Sequence, residues 1–307
     1  MKRFYTFCTT YNVHTPFPLS EQSLCSFAAY LADQDLAPQT IKSYLSALRN
    51  MQISLGLPDP REHSSLPVLK RVQAGISRTR MLKGSPPRIR LPITIHILEQ
   101  IRASLTASAD PDKLAFWAVA ASAFFGFFRL GELLPDSTSS FHPAKSLSWG
   151  DVATDSYTNP TMVQFHLKVS KCDQFGSGSD VVVGRTNSPL CPVSALLQYI
   201  EKRGDQPGAF FLDSTHSIIT KPRFVARIRE ILTSIGLPQH NFAGHSFRIG
   251  AATTAASLGI EDSTIQTLGR WHSAAFLQYI RTPKERLAAI SSTLAGSSST
   301  SSPNLTH

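Results

Sequence analysis

The sequence predicts a two-domain, mainly α-helical protein that contains one small antiparallel β-sheet. Apolar residues recur at helical spacing along most of the 307 residues, whereas the alternation of apolar and polar residues that is typical of strands is confined to one stretch. A basic segment rich in proline and glycine, GSPPRIRLP, interrupts the helical pattern and is typical of a linker. We therefore predict a helical domain at 1–84, a linker at 85–92, a second domain at 93–294 and a disordered polar tail at 295–307.

The helices of the first domain are bounded by recognisable start signals. One is predicted at 19–34 with Ser20 as its N-cap, the next at 37–57, and a third at 65–80 with Pro67 in its first turn. The opening residues, MKRFYTFC, are helix-like as well. The first domain is therefore expected to be entirely helical.

The second domain is predicted to combine helices with the small sheet. It begins with a helix at 93–107 and continues into a long buried helix at 114–134. Strands are predicted within 146–155, 161–171 and 180–186, separated by turn residues. Helical segments follow at 191–204, 221–237, 244–259, 261–271, 274–282 and 283–296.

The positive charge of the chain is concentrated at its N-terminal end. The formal net charge is +9, and residues 1–92 hold 12 Lys and Arg against 5 Asp and Glu, a net +7 that leaves +2 for the rest. Such a basic surface is the electrostatic footprint of a protein that binds a phosphate backbone. Charge alone leaves two alternatives open, an ordinary basic domain and an interface with an acidic protein.

Other features of the sequence limit the cellular compartments in which the protein is expected. No run of about 18 uncharged apolar residues occurs, so we expect no membrane span. The N-terminus lacks an apolar signal core, so secretion is not expected. The four cysteines are widely spaced, which is typical of reduced thiols in an intracellular protein.

Several polar side chains in the second domain are of types that bind anions or take part in catalysis. His245 and Arg248 are three residues apart on a predicted helix and so project from one face, where a guanidinium can grip phosphate oxygens. Arg129 ends an apolar run and requires a partner, either Glu132 or a bound anion. Lys171 enters a Gly-rich hairpin. Each of these residues, taken singly, has an ordinary structural explanation.

The order of the motifs is more informative than any single residue. The series RLGE, SK, HSFR, GRW and a final tyrosine, Tyr279, resembles the signature of the tyrosine recombinases, the phage-integrase family. The segments FFGFFRLGELL and LGRWHSAAFLQYIR are most similar to the recombinases of eukaryotic mobile elements and their bacterial relatives. The similarity spans roughly residues 18–290. It implies a C-shaped clamp built from an N-terminal SAM-like helical domain and the DNA breaking-rejoining catalytic fold.

The resemblance implies a catalytic role for six residues, of which Trp271 is described after the other five. Tyr279 would attack a DNA phosphodiester and form a 3′-phosphotyrosyl bond. Arg129 and Arg248 would hold the non-bridging oxygens as charge builds in the transition state. Lys171 would protonate the departing 5′-oxygen, and His245 would assist proton transfer near the tyrosine.

The sixth predicted catalytic residue is Trp271, and Glu132 has a supporting role. Glu132 would orient the first arginine or the histidine. Trp271 would occupy the position where the family has histidine or tryptophan and donate its indole N–H to a phosphate oxygen. The family usually places this residue nine positions before the tyrosine, whereas Trp271 lies eight before it, so Arg270, which has the usual spacing, and His272 remain alternatives.

The resemblance also implies the partners of the protein. Double-stranded DNA is the expected substrate, bound by a homotetramer that joins two DNA sites, and the segment at 283–296 would dock into a neighbouring subunit. No cofactor, metal ion or ATP is expected. The candidates for contacts with DNA phosphates are Lys42, Arg49, Lys70, Arg71, Arg78 and Arg80.

The function predicted from these observations is site-specific recombination or integration by a protein derived from a mobile element. Two alternatives remain open: a non-catalytic DNA-binding descendant, including a copy truncated at its N-terminus, and a relaxing enzyme similar to type IB topoisomerases. The expected compartment is the nucleus if the gene belongs to a eukaryotic element, and otherwise the bacterial cytoplasm and nucleoid.

Overall fold

Two separate hydrophobic cores organise the chain. The computed structural model describes residues 1–62, 65–84, 90–169 and 178–281. Beyond these it describes only the helical positions 287, 288, 291 and 295. It divides into two units, Met1–Arg88 and Ile89–His307. One hydrophobic core lies in each unit.

The first unit consists of four helices: α1 (Lys2–Thr10), α2 (Glu21–Asp33), α3 (Pro38–Ser54) and α4 (Pro67–Leu82). The hydroxyl of Ser20 caps α2 by accepting a hydrogen bond from the Ser23 amide at 3.0 Å. Proline occupies the first turn of α3 and of α4, where its missing N–H costs nothing. The phenylalanines of α1 pack against the fully buried Phe27.

The second unit is mainly helical and contains one sheet, as predicted. Its elements are α5 (Ile95–Ala107), α6 (Lys113–Phe125), α7 (Leu130–Leu133), β1 (Val152–Thr154), β2 (Met162–Leu167), β3 (Ser179–Gly184), α8 (Pro192–Arg203), α9 (Lys221–Ser234), α10 (His245–Ser257) and α11 (Asp262–Leu268). The strands form an antiparallel sheet in the order β1-β2-β3. Along β2 the residues alternate between exposed and buried, so one face of the sheet covers the core.

The predicted helix at 114–134 is wrong in its second half. The chain leaves the helix after Phe125 because Phe127 adopts a left-handed backbone conformation, with φ of +51°. At Gly126 an added Cβ would lie 2.3 Å from the Phe128 ring, so this turn requires glycine. The break places Arg129 at the start of the short helix α7 instead of on a buried helix. No helix in the described part of the chain is long and apolar enough to cross a membrane.

The C-terminal segments also differ from the prediction. The stretch predicted as a helix at 274–282 forms a 3₁₀ helix over Ala274–Tyr279, capped by the hydroxyl of Ser273. The predicted helix at 283–296 lies mostly outside the described residues, as do the tail beyond it and the segment that carries Lys171.

Helix α10 is anchored closely to the segment that precedes α5. The Ile93 amide donates to the carbonyl of Ser246 at 2.9 Å. One turn later, a Cβ built on Gly250 would lie 1.8 Å from the Ile93 carbonyl oxygen. This approach of backbone to backbone explains why small residues follow the HSFR motif, and it fixes the helix that carries His245 and Arg248.

Replacement of Gly250 by alanine should therefore destabilise the second unit. The clash is with backbone atoms that cannot move aside, and overpacking of this kind costs about 1–3 kcal/mol or more. Urea unfolding followed by circular dichroism measures the effect. Gly150→Ala is the matched control because nothing lies within 4 Å of an added Cβ there. Equal stability of the two variants would contradict the packing described here.

Candidate active site

One carboxylate organises two of the arginines at the centre of the second unit. Glu132 accepts hydrogen bonds from the backbone amide of Arg129 at 2.8 Å and from its Nη1 at 2.8 Å. The second arginine is Arg270, whose Nη2 donates to the same carboxylate at 2.7 Å. The side chains of Arg129, Glu132 and Arg270 are only 17%, 6% and 13% exposed. Glu132 therefore orients both arginines, a role that the resemblance implied for the first of them.

Arg248 lies beside this group and is completely buried. Its Nη1 donates to the carbonyl of Phe127 at 2.7 Å and its Nη2 to the carbonyl of Gly269. The indole of Trp271 lies under the guanidinium, with 4.2 Å between the Cζ atom and the ring centroid. The Nε of Arg248 is buried and has no hydrogen-bond partner among the described residues.

A second buried arginine shows what a purely structural one looks like. Arg203 is 4% exposed, and its Nε and both Nη atoms donate to backbone carbonyls of the loop at 204–210. Native proteins rarely leave buried donors without partners, and such exceptions call for an explanation. The Nε–H of Arg248 lacks such a partner among the described residues and is a donor that a ligand would satisfy.

The electrostatics of the cluster favour an anion. Burial lowers the pKa of Arg248 from 12.5 to about 10, and the neighbouring charge of Arg129 lowers it as well. A shift of this size disfavours the charged guanidinium by about 3 kcal/mol. Glu132 pairs with two of the three guanidinium groups, those of Arg129 and Arg270, and the third, Arg248, lies beside them, so that these four side chains together carry a net positive charge. A bound phosphate would relieve this repulsion.

Tyr279 lies directly against the cluster. Its ring centroid is 5.1 Å from that of Trp271 and 6.5 Å from that of His245, to which it is nearly parallel. The Cζ atom of Arg248 lies 5.8 Å from the same ring. Residues from the first turn of α10, the loop after α11 and the 3₁₀ helix are thereby brought together around one tyrosine.

The structure distinguishes the three candidates for the histidine-or-tryptophan position. Arg270, in a left-handed conformation with φ of +54°, donates to Glu132 and to the carbonyl of Gly126. His272 is exposed. Trp271 is 8% exposed, contacts both Arg248 and Tyr279, and has an indole N–H with no partner within the part of the chain that the structure describes.

Gly269 is required for this placement of Trp271. A Cβ on Gly269 would lie 1.6 Å from the indole ring, and its carbonyl already accepts from Arg248. Sequence reasoning identified the GRW motif but missed the roles of Gly269 and of the Phe127 carbonyl. The juxtaposition of glycine and a bulky aromatic was the available signal for Gly269, whereas a backbone carbonyl leaves no signal in the sequence.

The catalytic lysine is predicted in a segment with two candidates. Lys171 lies outside the described residues. Lys168, three positions earlier, donates to the carbonyl of Pro143 at 2.7 Å and to the carboxylate of Asp151 at 2.5 Å. Lys168 is therefore held by contacts within the fold, and the catalytic role of Lys171 stays a prediction.

The basic residues of the first unit fall into two groups. Lys42, Lys70, Arg71 and Arg78 are exposed. In contrast, Arg49 donates to both oxygens of Asp59, which holds the pKa of that carboxyl at about 2. Arg80 donates to the carbonyl of Asp35 at 2.9 Å. The exposed group is the better candidate for DNA phosphates, because the charge of Arg49 is already neutralised.

Comparison with known proteins supports the class of protein that the motifs predicted. No protein-family model matches the chain. An integrase/recombinase XerD homologue from Selenomonas ruminantium is 26% identical over 280 residues, which cover 88% of this chain and 75% of the relative. The resemblance to the tyrosine recombinases that the motifs predicted is thereby confirmed.

Solved structures show the same fold. The XerH site-specific recombinase, in a post-cleavage complex with a palindromic difH substrate, superposes with a TM-score of 0.61 at 15% identity, covering 94% of this chain and 75% of XerH. The Tn1549 transposon integrase, in complex with circular intermediate DNA, gives a TM-score of 0.52 at 13% identity over 89% of this chain and 85% of the integrase. The chain therefore has the tyrosine recombinase fold.

Proposed function

We propose that the protein is a site-specific DNA recombinase or integrase that cuts and rejoins DNA through a 3′-phosphotyrosyl intermediate. The observation that carries this proposal is the buried, incompletely satisfied Arg248 beside Tyr279 within a positively charged cluster. The names of the similar proteins support it, because the XerD homologue is an integrase/recombinase and XerH is a site-specific recombinase bound to its DNA.

Each predicted catalytic residue named below suits one step of that reaction. The Tyr279 oxygen attacks the phosphorus, and the bond from phosphorus to the 5′-oxygen breaks. The tyrosine proton passes to His245 or to solvent beside it, and Lys171 donates a proton to the 5′-oxygen. Arg129 and Arg248 stabilise the charge on the non-bridging oxygens. The released 5′-hydroxyl reverses the sequence to rejoin the strand.

The reaction needs neither ATP nor a metal ion. The phosphotyrosyl bond conserves the energy of the broken phosphodiester, so rejoining requires no external energy. Guanidinium groups supply the positive charge that a metal ion provides in other phosphoryl-transfer enzymes. Cleavage should therefore proceed in EDTA without nucleotide, and a requirement for Mg²⁺ would contradict this part of the proposal.

Covalent trapping tests the central claim. The wild-type chain is mixed with labelled DNA that carries the native flanks of its gene, both supercoiled and nicked, and quenched in detergent. A protein–DNA adduct is expected. DNA binding without an adduct would favour a non-catalytic descendant, and relaxation of supercoils without joining of two DNA sites would favour an enzyme of the topoisomerase type.

The exposed basic residues of α4 should determine nonspecific DNA affinity. Arg71→Gln combined with Arg78→Gln is expected to weaken binding uniformly across DNA sequences and to reduce the slope of log K against log salt by about 2, because each phosphate contact contributes about 0.9. Fluorescence anisotropy at several salt concentrations measures the slope. Arg49→Gln is the control and should leave it unchanged, since Asp59 already pairs with Arg49. An effect of Arg49 as large as that of the pair would overturn this assignment.

We further propose that a homotetramer joins two DNA duplexes, with the segment at 283–296 docked into a neighbouring subunit. The predicted compartment is the one that holds the DNA target: the nucleus for a eukaryotic mobile element, otherwise the nucleoid. Mass photometry of the protein with one and with two DNA sites tests the assembly. A species that never exceeds two subunits would contradict it.

A further inference from the structure

A single hydroxyl group links the nucleophile segment to α10. Thr253 lies on α10, five residues after Arg248. Its Oγ1 donates a hydrogen bond to the carbonyl oxygen of Tyr279 at 3.2 Å. The same Oγ1 accepts one from the backbone amide of Arg281 at 3.1 Å. The hydroxyl thus holds the backbone at Tyr279 and two residues beyond it.

We propose that Thr253 is a positioning residue that fixes the backbone of Tyr279 relative to the arginine that binds the scissile phosphate. This inference rests on the proposed function, in which Tyr279 is the nucleophile. It assigns a role to a residue outside the motifs RLGE, HSFR and GRW.

The local structure explains why such a link is needed. Tyr279 is the last residue of a 3₁₀ helix of six residues, and Ile280 is already extended. Carbonyl groups at the end of a helix have no partner within the helix, and short 3₁₀ helices have weaker hydrogen-bond geometry than α-helices. Thr253 satisfies the Tyr279 carbonyl from a rigid α-helix. The segment therefore gains a fixed point at the residue whose position matters for attack.

The burial of Arg248 shows what this fixed point does during the reaction. Arg248 is completely buried, and the ring centroids of Trp271 and Tyr279 lie 4.2 and 5.8 Å from its Cζ atom. A phosphate can therefore reach the unsatisfied Nε of Arg248 only after neighbouring side chains move, and in the proposed reaction the Tyr279 ring is the one that moves. With the backbone held at Thr253, the Tyr279 ring can turn about its side-chain bonds while its Cα stays in place. The Tyr279 ring then moves away from Arg248, and the phosphate takes its place beside the arginine.

The expected effect follows from the cost of misplacement. Attack requires the reacting atoms to be about 3–3.5 Å apart, and an error of about 1 Å can cost a factor of about 100 in rate. Loss of the hydroxyl releases the backbone at Tyr279 without changing any group that touches DNA. The rate of cleavage should fall, whereas the affinity for DNA should not.

The chain provides a matched control one residue away. Thr254 is on the same helix and is partly buried like Thr253, but none of the described hydrogen bonds involves its side chain. Thr254→Val therefore makes the same chemical change on the same helix without breaking the link. Thr253→Ser keeps the hydroxyl and removes only a methyl group.

The test is single-turnover formation of the covalent complex on a nicked duplex that traps the adduct, together with DNA affinity by anisotropy. We expect Thr253→Val to form the adduct about 10- to 100-fold more slowly at unchanged DNA affinity. Thr253→Ser and Thr254→Val should react within about threefold of the wild type. As a control for folding, the thermal unfolding midpoint of each of the three variants is measured first and should lie close to that of the wild type.

The possible failures are distinguishable. If the wild type forms no adduct, the proposed function fails and the inference with it. If the wild type reacts and Thr253→Val reacts equally fast, only the positioning role of Thr253 is overturned. Equal slowing in Thr254→Val, or no rescue by Thr253→Ser, would show general damage to α10 and would also overturn that role.

Discussion

Replacement of Tyr279 by phenylalanine is expected to abolish covalent attachment of the protein to DNA and to leave DNA binding intact. The change removes one oxygen atom, the proposed nucleophile, and keeps the ring that packs at 5.1 Å from Trp271. Phenylalanine preserves this ring contact, so the fold and the exposed basic residues of α4 should be unaffected. The adduct should drop below detection, because no other group would take over the attack.

Tyr157→Phe provides the control for this variant. Tyr157 is fully exposed in the loop between β1 and β2, so its hydroxyl is equally dispensable for folding. It should form the adduct at the wild-type rate. An adduct that persists in Tyr279→Phe would show that another residue attacks the phosphate, and mapping of the DNA-linked peptide would then identify it.

Replacement of Arg248 by lysine is expected to slow cleavage by about 100- to 1000-fold, as the loss of one preorganised donor to a developing oxyanion does. Lysine keeps the charge, but its N–H donors all lie on one nitrogen and cannot reproduce the planar fork that donates to the carbonyls of Phe127 and Gly269 through two separate nitrogens. The contact of the guanidinium with the Trp271 ring is lost too. The defect should therefore appear in the chemical step, measured as the single-turnover rate at saturating protein.

A conservative change elsewhere controls for the general effect of losing a guanidinium. Arg227, on α9, forms ion pairs with Asp110 and with Glu230, and lysine at this position can keep both. This variant should cleave at the wild-type rate. If Arg248→Lys cleaved equally well, the fork geometry of Arg248 would be irrelevant and the assignment of the anion site to it would be wrong.

The secondary structure was predictable wherever local pattern decides it. Ser20 caps α2 and prolines open α3 and α4, as their positions in the sequence indicated. The three strands were also placed correctly, because the alternation of residues along β2 matches a sheet with one buried face. These features depend on neighbours within a few residues, which the sequence displays directly.

The predicted helix through Arg129 failed for the opposite reason. The run AFFGFF that precedes Arg129 is apolar throughout and has no internal period that would mark a break. The turn at Gly126 and Phe127 depends on how the Phe128 ring packs, which is a tertiary contact. The same holds for Thr253, whose importance depends on a partner 26 residues away in the chain.

The sequence by itself determined the family resemblance, the concentration of positive charge at the N-terminal end and the identity of the tyrosine proposed to act. It also limited the histidine-or-tryptophan position to three neighbouring residues, Arg270, Trp271 and His272. Only the tertiary structure decided what each of these three contacts: Glu132 holds Arg270, Arg248 stacks on Trp271, and His272 is exposed. The physical reason is that residue types and spacing record which groups are present, whereas burial and hydrogen bonding between distant segments decide which donors are satisfied and which remain for a ligand.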